Sequence, residues 1–260
     1  MTNILDIHLG ISPTNEVISF DLAEAPHCLV AGTTGSGKST ALHSIICSLL
    51  MKTTPDELMF MMVDTKMVEL PRYDGIPNLL TPCITDAWDA IDSLKALVAT
   101  MEQRYKLAKE YNAKDLIELN EKLTTGQKLP YILVVIDEVA DLMALSKNEV
   151  EESVVRIAQK ARACGIHLIV STQSPRREVI TGLLKCNLPS RIGFSTTSAL
   201  DSNIIGVKGC ENLFGNGDMM FSNQGRAPIR LQSPFISSEE IDSIVSHWRN
   251  QVYWQERMAA

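Results

Sequence analysis

The sequence lacks the features that mark membrane and secreted proteins. Among its 260 residues, no uninterrupted apolar stretch approaches the roughly 18 residues that a membrane-spanning helix needs. The N-terminus has no basic segment followed by an apolar one, so it does not resemble a secretory signal. We also find no internal repeat and no low-complexity tract. These absences predict a soluble, cytoplasmic chain with no membrane segment.

The sequence also lacks paired cysteines and an excess of positive charge. None of the six cysteines forms a Cys-x-x-Cys pair, so we expect all of them to be reduced core residues without a metal site. The net charge is -7, although binding to a nucleic-acid backbone depends on lysine and arginine meeting phosphates. Any DNA-binding surface must therefore be local. Basic residues do become more frequent between Arg156 and Arg191, which a solvated helix face could equally explain.

What the sequence does contain is a phosphate-binding loop. Residues 32–39 match the pattern G-x-x-x-x-G-K-[ST] between an apolar run and a segment with helical periodicity. The glycines allow backbone N–H groups to converge on a phosphate at the start of the helix, where the helix dipole favours an anion. Lys38 would neutralise the β- and γ-phosphates, and Ser39 would reach Mg²⁺. The alternative is a glycine-rich turn without a ligand. The predicted ATP-binding residues are Gly32, Thr33, Thr34, Gly35, Ser36, Gly37, Lys38, Ser39 and Thr40.

Apolar runs alternate with amphipathic segments along the chain, which predicts an α/β fold. The central sheet should be mostly parallel and covered by helices on both faces. The candidate strands are residues 28–31, 58–63, 131–136, 167–170 and 191–194.

Two short runs in the first 25 residues predict a small N-terminal β-hairpin extension, residues 1–25, ahead of a main domain formed by residues 26–260. Residues 121–130 are polar and predict a surface loop. A second hairpin is predicted at residues 218–221 and 229–232. A final helix follows a capping box formed by Ser237 and Glu240.

Polar residues follow three of the candidate strands. Asp137 and Glu138 come directly after residues 132–136, at the edge where a parallel sheet would place them beside the phosphate loop. Asp137 would support the metal through its water shell, and Glu138 would polarise the attacking water, unless both are merely solvated acids. Gln173 ends the next strand and would contact the γ-phosphate or the water, unless it is an ordinary amide. Asp64 and Lys66 have either a nucleotide-linked role or that of a salt bridge or cap.

Several segments, in one order, resemble the motor domain of the FtsK and SpoIIIE DNA translocases. The resemblance covers roughly residues 20 to 250 and rests on residues 32–39, 64–70, 73–77, 101–105, 137–142, 158–168, 179–183, 189–192 and 215–219. It implies a RecA-like P-loop ATPase of the FtsK/HerA class. Such a motor forms a hexameric ring around double-stranded DNA and pulls the duplex through its pore with the energy of ATP hydrolysis.

The resemblance also implies that each ATP lies between subunits and that a neighbour supplies an arginine to the γ-phosphate. The corresponding residue here is Arg162, with Arg104 and Arg191 as weaker candidates. A surface charge is the alternative for each. The expected catalytic residues are therefore Glu138, Lys38, Gln173 and Arg162, with Ser39 and Asp137 at the metal.

The chain departs from the family pattern at the expected DNA contacts. Gln173 is followed by Ser-Pro before two arginines, and residues 198–203 lack the basic side chains that often hold the DNA backbone. Arg176, Arg177 and Lys208 are the candidate replacements. We therefore expect weak or salt-sensitive DNA binding.

The membrane region and winged-helix module of the large cell-division members are not seen in this sequence. We expect a compact motor for DNA transfer, packaging or segregation, encoded by a mobile element, or the motor segment of a longer protein. A membrane or loading partner is left open. The alternatives are a ring ATPase for protein export of the type VII kind and a nucleotide-binding scaffold without turnover.

Overall fold

The computed structural model describes residues 4–251, and within them the strands form one mixed sheet. The sheet order is β2-β1-β9-β8-β7-β3-β6-β5-β4. In chain order the strands are β1 (Asp6–Ile11), β2 (Val17–Asp21), β3 (His27–Ala31), β4 (Leu58–Val63), β5 (Tyr131–Ile136), β6 (Ile166–Thr172), β7 (Ser190–Phe194), β8 (Asp218–Ser222) and β9 (Ile229–Gln232).

The five central strands, β7-β3-β6-β5-β4, run parallel to one another. They are the five strands predicted from the apolar runs, and their near-continuous burial is typical of a sheet that is covered on both faces. Strands β8 and β9 add an antiparallel hairpin beside β7, as predicted. The carboxyl ends of β3, β5 and β6 therefore meet at one edge of the sheet.

Helices cover both faces of this sheet. They are α1 (Lys38–Leu50), α2 (Ala87–Glu110), α3 (Leu116–Lys122), α4 (Val139–Lys160), α5 (Gly182–Asn187), α6 (Ala199–Ile205) and α7 (Ser238–Arg249). One hydrophobic core contains buried residues of α2, α4, α5 and α6, and the other contains those of α1 and α7. The predicted two-faced α/β arrangement is confirmed, and the capping box at Ser237 opens α7. The surface loop predicted at residues 121–130 is wrong at its start, because α3 continues to Lys122.

The N-terminal hairpin is joined to the same sheet. Strands β1 and β2 pair antiparallel, and Ile11 of β1 pairs with Gln232 of β9. The hairpin thus extends the antiparallel side of the sheet. The division into residues 1–25 and 26–260 stays a prediction, and residues 1–3 and 252–260 of those two segments lie outside the described residues.

Two expectations from composition can be compared with the structure. No helix within residues 4–251 is long and apolar enough to cross a membrane. All six cysteines are free, and most are buried as expected. The prediction is wrong for Cys186, which is exposed in α5.

Candidate active site

The phosphate loop connects β3 to α1, and two of its glycines are required by close packing. Gly37 caps α1 in the left-handed region at φ 96°, and a Cβ there would lie 2.2 Å from the backbone nitrogen of Gly217. A Cβ on Gly32 would lie 2.5 Å from Cβ of Phe194. No side chain caps the start of α1, and the first N–H groups of a helix have no intrahelical acceptor. These N–H groups can therefore bind phosphate oxygens.

A cavity of about 360 Å³ opens in front of this loop, and we call it the phosphate-loop cavity. Most of the predicted ATP-binding residues line it, namely Thr33, Thr34, Gly35, Gly37, Lys38, Ser39 and Thr40. Gly32 and Ser36 do not. Gly32 donates its N–H to the carbonyl of Thr172, and Ser36 is a buried residue of the same loop.

Lys38 is buried and fully engaged at the floor of the cavity. Its ammonium donates to Oδ1 of Asp137 at 2.9 Å, to the Asp137 carbonyl at 3.3 Å and to Oγ of Ser171 at 2.7 Å. Ser171 in turn donates to the Asp137 carbonyl at 2.6 Å. The structure therefore brings the predicted lysine and the predicted metal-supporting carboxylate together. A phosphate that binds Lys38 must compete with this buried ion pair.

Glu138 lies beside this pair and is also buried. Its Oε1 accepts from Oγ1 of Thr172 at 2.5 Å and from N–H of Ala140 at 3.3 Å. Its Oε2 accepts from N–H of Gln173 at 3.0 Å and from Nζ of Lys66 at 3.1 Å. The strand ends of β5 and β6 are adjacent, so Glu138 and Gln173 lie at the same sheet edge, and they meet through the backbone N–H of Gln173.

The Gln173 side chain connects the phosphate loop to a second cavity. Its Oε1 accepts from Oγ1 of Thr34 at 2.8 Å. Thr34 and Gln173 line both the phosphate-loop cavity and a neighbouring cavity of about 710 Å³, which we call the side cavity. Glu138 and Lys66 also line the side cavity. Gln173 thus contacts the phosphate loop through its side chain and Glu138 through its backbone N–H.

Asp64 and Lys66 do not pair through their side chains. The buried Asp64 carboxylate accepts backbone N–H groups from Lys66, Val68, Glu69 and Leu70, which makes it the cap of the 64–70 loop. Lys66 instead forms the ion pair with Glu138. Burial lowers the pKa of Lys66, but the hydrogen bond to Glu138 and the nearby carboxylates outweigh it, so the pKa is raised and the amine stays charged.

Glu69 is a residue of the cavity that the sequence did not single out. It lines the phosphate-loop cavity, and its Oε2 lies 3.0 Å from Nε2 of His43 on α1. The other ring nitrogen of His43 lies 2.8 Å from the buried Tyr73 hydroxyl. The hydrogen bond from His43 and the nearby Ser39 hydroxyl lower the pKa of Glu69. This carboxylate is therefore ionised and oriented next to the predicted metal-binding hydroxyl.

The phosphate-loop cavity is also lined by residues that adjoin the antiparallel strands β8 and β9. Asn216, Gly217, Gln232 and Phe235 line it, with Ser233 and Pro234 between the last two. Gly217 donates its N–H to the Ser36 carbonyl, which ties this segment to the phosphate loop. Phe235 is 81% exposed. The sequence carries no local signal for these residues apart from the 215–219 segment of the family resemblance.

The predicted magnesium ligands fit a site that needs the nucleotide to complete it. Ser39 supplies a hydroxyl at the start of α1, and Asp137 supplies a buried carboxylate. Both are oxygen donors of the kind that Mg²⁺ prefers. Within residues 4–251 no group of three or more His, Cys, Asp or Glu side chains could hold a metal by itself. Magnesium binding here would therefore depend on phosphate oxygens as well.

The three arginines that are candidates for contacting a neighbouring subunit's ATP differ in exposure and in their hydrogen-bond partners. Arg162 is exposed in the turn before β6, and its Nε donates to the Ala23 carbonyl at 3.1 Å. Arg104 is buried, donates to the Cys164 carbonyl at 2.9 Å, and burial lowers its pKa to about 10. Arg191 donates to three backbone carbonyls of its own chain. Arg104 and Arg191 therefore hold their own subunit together.

The candidate DNA-binding residues lie on the surface. Arg176 and Arg177 are exposed in the loop after β6, and Arg176 also lines the side cavity. Lys208 is exposed in the turn after α6 and lines neither cavity. Two of the three candidates are thus close to Gln173 along the chain, and the third belongs to a separate turn.

The chain is similar to known DNA translocases over most of its length. The FtsK/SpoIIIE family model matches residues 2–177. The chain is 49% identical to the DNA translocase SftA of Bacillus subtilis (strain 168) over 249 residues, which are 94% of this chain but 26% of that protein. The chain therefore spans about a quarter of the length of this curated relative.

Two solved structures share its architecture. The pCW3 conjugation coupling protein TcpA, a monomer form with ATPγS, is 30% identical with a TM-score of 0.82, and the match covers 95% of this chain and 71% of that one. The cytoplasmic domain of the Thermomonospora curvata type VII secretion ATPase EccC has a TM-score of 0.84 at 24% identity, covering 96% and 31%. The similarity to EccC shows a shared fold and nothing further. Together they confirm the predicted RecA-like P-loop fold.

Proposed function

The chain belongs to the FtsK/SpoIIIE family, and on that basis we propose that it is a DNA translocase motor driven by ATP hydrolysis. Family membership and the related structure with ATPγS support an ATPase. The finer proposal is a ring, hexameric as in the family resemblance, that encircles double-stranded DNA and moves it for transfer, packaging or segregation. Residues 26–260 would form the motor domain.

The observation that carries this proposal is the grouping of Lys38, Asp137, Glu138 and Gln173 at one edge of the sheet. Lys38 would stabilise charge on the terminal phosphates once it leaves Asp137. Glu138 would orient a water for attack on the γ-phosphate and accept its proton. Gln173 would contact the γ-phosphate or that water through its amide.

Mg²⁺, when bound with the nucleotide, would neutralise phosphate charge, with Ser39 and Asp137 as its protein-side partners. Glu69 would orient the Ser39 hydroxyl from the other side of the cavity. The first test is whether ATP hydrolysis depends on Glu138. We expect Glu138→Gln to bind ATP and to lose turnover, measured by phosphate release and by binding of a fluorescent ATP analogue.

Phe235 is the proposed platform for the nucleotide base. It is exposed and lines the phosphate-loop cavity together with Lys38. Stacking of a base on an aromatic ring contributes about 1–3 kcal/mol, so Phe235→Ala should raise the KM for ATP about fivefold or more. Phe214→Ala is a matched control, because Phe214 is 87% exposed, packs against Arg230 and does not line the cavity. Equal KM values for the two variants would show that Phe235 does not stack on the nucleotide base.

Arg162 is proposed to complete the site of a neighbouring subunit. It precedes β6, whereas the site follows β6, and seven strand residues span about 20 Å. It therefore cannot reach the γ-phosphate of its own chain. In a heterologous ring, a Glu138→Gln subunit lacks a working site but can still offer Arg162 to its neighbour.

This arrangement allows a complementation experiment. Glu138→Gln and Arg162→Ala proteins should each be inactive, but an equal mixture should recover about a quarter of wild-type ATPase, because about one interface in four combines both intact residues. Arg156→Ala, which removes an exposed arginine paired with Glu102, is the control and should keep full activity. A mixture as inactive as its components would exclude a trans role for Arg162.

A separate measurement tests whether the chain translocates DNA or protein. The likeness to EccC favours a shared fold but says nothing about what this chain moves. We expect long duplex DNA to stimulate ATPase strongly and signal peptides of export substrates to have no effect. Stimulation should fall steeply with salt, and Arg176→Ala/Arg177→Ala should reduce it without changing DNA-free turnover. Stimulation by peptide and not by DNA would favour the alternative function, a ring ATPase for protein export.

A further inference from the structure

The carboxylate of Glu138 has no free acceptor position. An ionised carboxylate offers about four lone-pair sites on its two oxygens. In this structure Oε1 accepts from Thr172 and Ala140, and Oε2 accepts from Gln173 and Lys66. A water that is to be oriented by Glu138 must donate a hydrogen bond to one of these oxygens. One existing donor therefore has to leave before Glu138 can act.

The four donors differ in how easily they can leave. Ala140 and Gln173 donate through backbone N–H groups at the ends of α4 and β6, and the Thr172 side chain is fully buried. A buried donor that loses its acceptor without gaining water leaves an unsatisfied polar group, which is energetically costly. The Lys66 side chain is 39% exposed at the end of a flexible stem, so its ammonium can exchange Glu138 for water. Lys66 is the donor that can be released at lowest cost.

The backbone below Lys66 is held in place. Asp64 accepts the backbone N–H of Lys66 at 3.1 Å together with three further N–H groups of the same loop. Thr65 donates to Oδ2 of Asp141 on α4 at 2.6 Å, which fixes the loop against the helix that begins after Glu138. The loop therefore presents the lysine to Glu138, while the side chain alone can move into the side cavity.

We propose that Lys66 is a positioning residue that restrains Glu138, and that ATP hydrolysis requires the Lys66 ammonium to leave this carboxylate. The proposal rests on the proposed function, because it assumes that Glu138 orients the attacking water. Lys66 lines the side cavity with Glu138 and Gln173, so the ammonium has open space to enter when it leaves the carboxylate. The charge of Lys66 is retained at neutral pH because its pKa is raised.

The test compares DNA-free ATPase of the whole chain with Lys66→Met and Lys66→Arg. Lys66→Met should raise kcat by about threefold to tenfold, the range of a partly exposed charged hydrogen bond, with KM for ATP unchanged. Lys66→Arg keeps the ion pair and should return kcat to the wild-type value.

Lys147→Met is the matched control, because Lys147 lines the same cavity, is exposed and should leave kcat unchanged. If Lys66→Met has a kcat equal to or below wild type while Glu138→Gln is inactive, the restraint is disproved and the proposed function stands. If Glu138→Gln hydrolyses ATP at the wild-type rate, the proposed function fails together with this inference. A rise in kcat that Lys147→Met reproduces would also disprove the restraint, because it would be an effect of cavity charge.

Discussion

Two buried histidines at the base of the central sheet predict a loss of stability in mild acid. His27 begins the strand that leads to the phosphate loop, and His167 belongs to the neighbouring strand that leads to Gln173. Each is 1% exposed, and their ring centroids are 6.4 Å apart. Burial lowers the pKa of both rings to about 3, and for His27 the neighbouring His167 adds to the effect.

The folded protein loses stability in acid because the unfolded chain can protonate these two rings at a higher pH than the folded chain can. Above about pH 6.5 both rings are neutral in both states, so the full stability is present. As the pH falls from 6.5 towards 3, the unfolded chain takes up protons that the folded chain cannot, and stability decreases by about 1.4 kcal/mol per pH unit for each histidine. Between about pH 7 and pH 5 this amounts to about 2 kcal/mol for each ring, or about 4 kcal/mol for the pair.

The assay is urea unfolding of the whole chain, followed by circular dichroism at about pH 5 and pH 7. Other groups also titrate, so the informative quantity is the difference between wild type and His27→Leu/His167→Leu. The variant should lose about 4 kcal/mol less than wild type over this range, and each single variant about 2 kcal/mol less. His247→Gln, which removes an exposed histidine of α7, should follow wild type. If the double variant keeps the wild-type pH dependence, the two buried histidines do not cause the loss of stability in acid.

Three further predictions concern the framework of the site. Gly37→Ala should weaken ATP binding by more than tenfold in calorimetric titration, because its φ of 96° and the 2.2 Å approach of the neighbouring backbone exclude a Cβ, whereas Gly126→Ala should be neutral. Asp64→Ala should lower the free energy of unfolding by about 3 kcal/mol in urea, because four backbone N–H groups lose their acceptor. Arg104→Met should lower the melting temperature but leave ATPase complementation in mixed rings intact, since its guanidinium serves its own subunit.

The residues that the sequence identified well are those whose position follows from the topology of a parallel sheet. An apolar run of four to seven residues followed by a polar side chain places that side chain at the carboxyl edge, and all such edges coincide. This is why Asp137 and Gln173 could be expected beside Lys38. The short helices α3, α5 and α6 were not predicted, because six or seven residues are too few to show a helical period.

The residues that the sequence missed depend on contacts between distant segments. Phe235 reaches the phosphate-loop cavity because β8 and β9 continue the sheet past β7, and because Gly217 packs directly against Gly37. Glu69 reaches Ser39 because Asp64 folds the intervening loop around its carboxylate. Neither relation has a local pattern. The histidine pair is equally hidden, since burial of a polar ring depends on which strands become neighbours.

The buried charges at the proposed site form carboxylate–ammonium pairs, and this pairing leads us to expect that the nucleotide binds together with a second cation. Asp137 is paired with Lys38 and Glu138 with Lys66, so two buried carboxylates are matched by two ammonium groups. A triphosphate that draws Lys38 away would leave Asp137, which is 1% exposed, without a counter-charge. An unpaired buried charge costs several kcal/mol, so nucleotide binding without a second cation would be weak. A divalent cation would supply the missing positive charge, and Asp137 and Ser39 are the residues that would hold it, so we expect the nucleotide to bind as its magnesium complex.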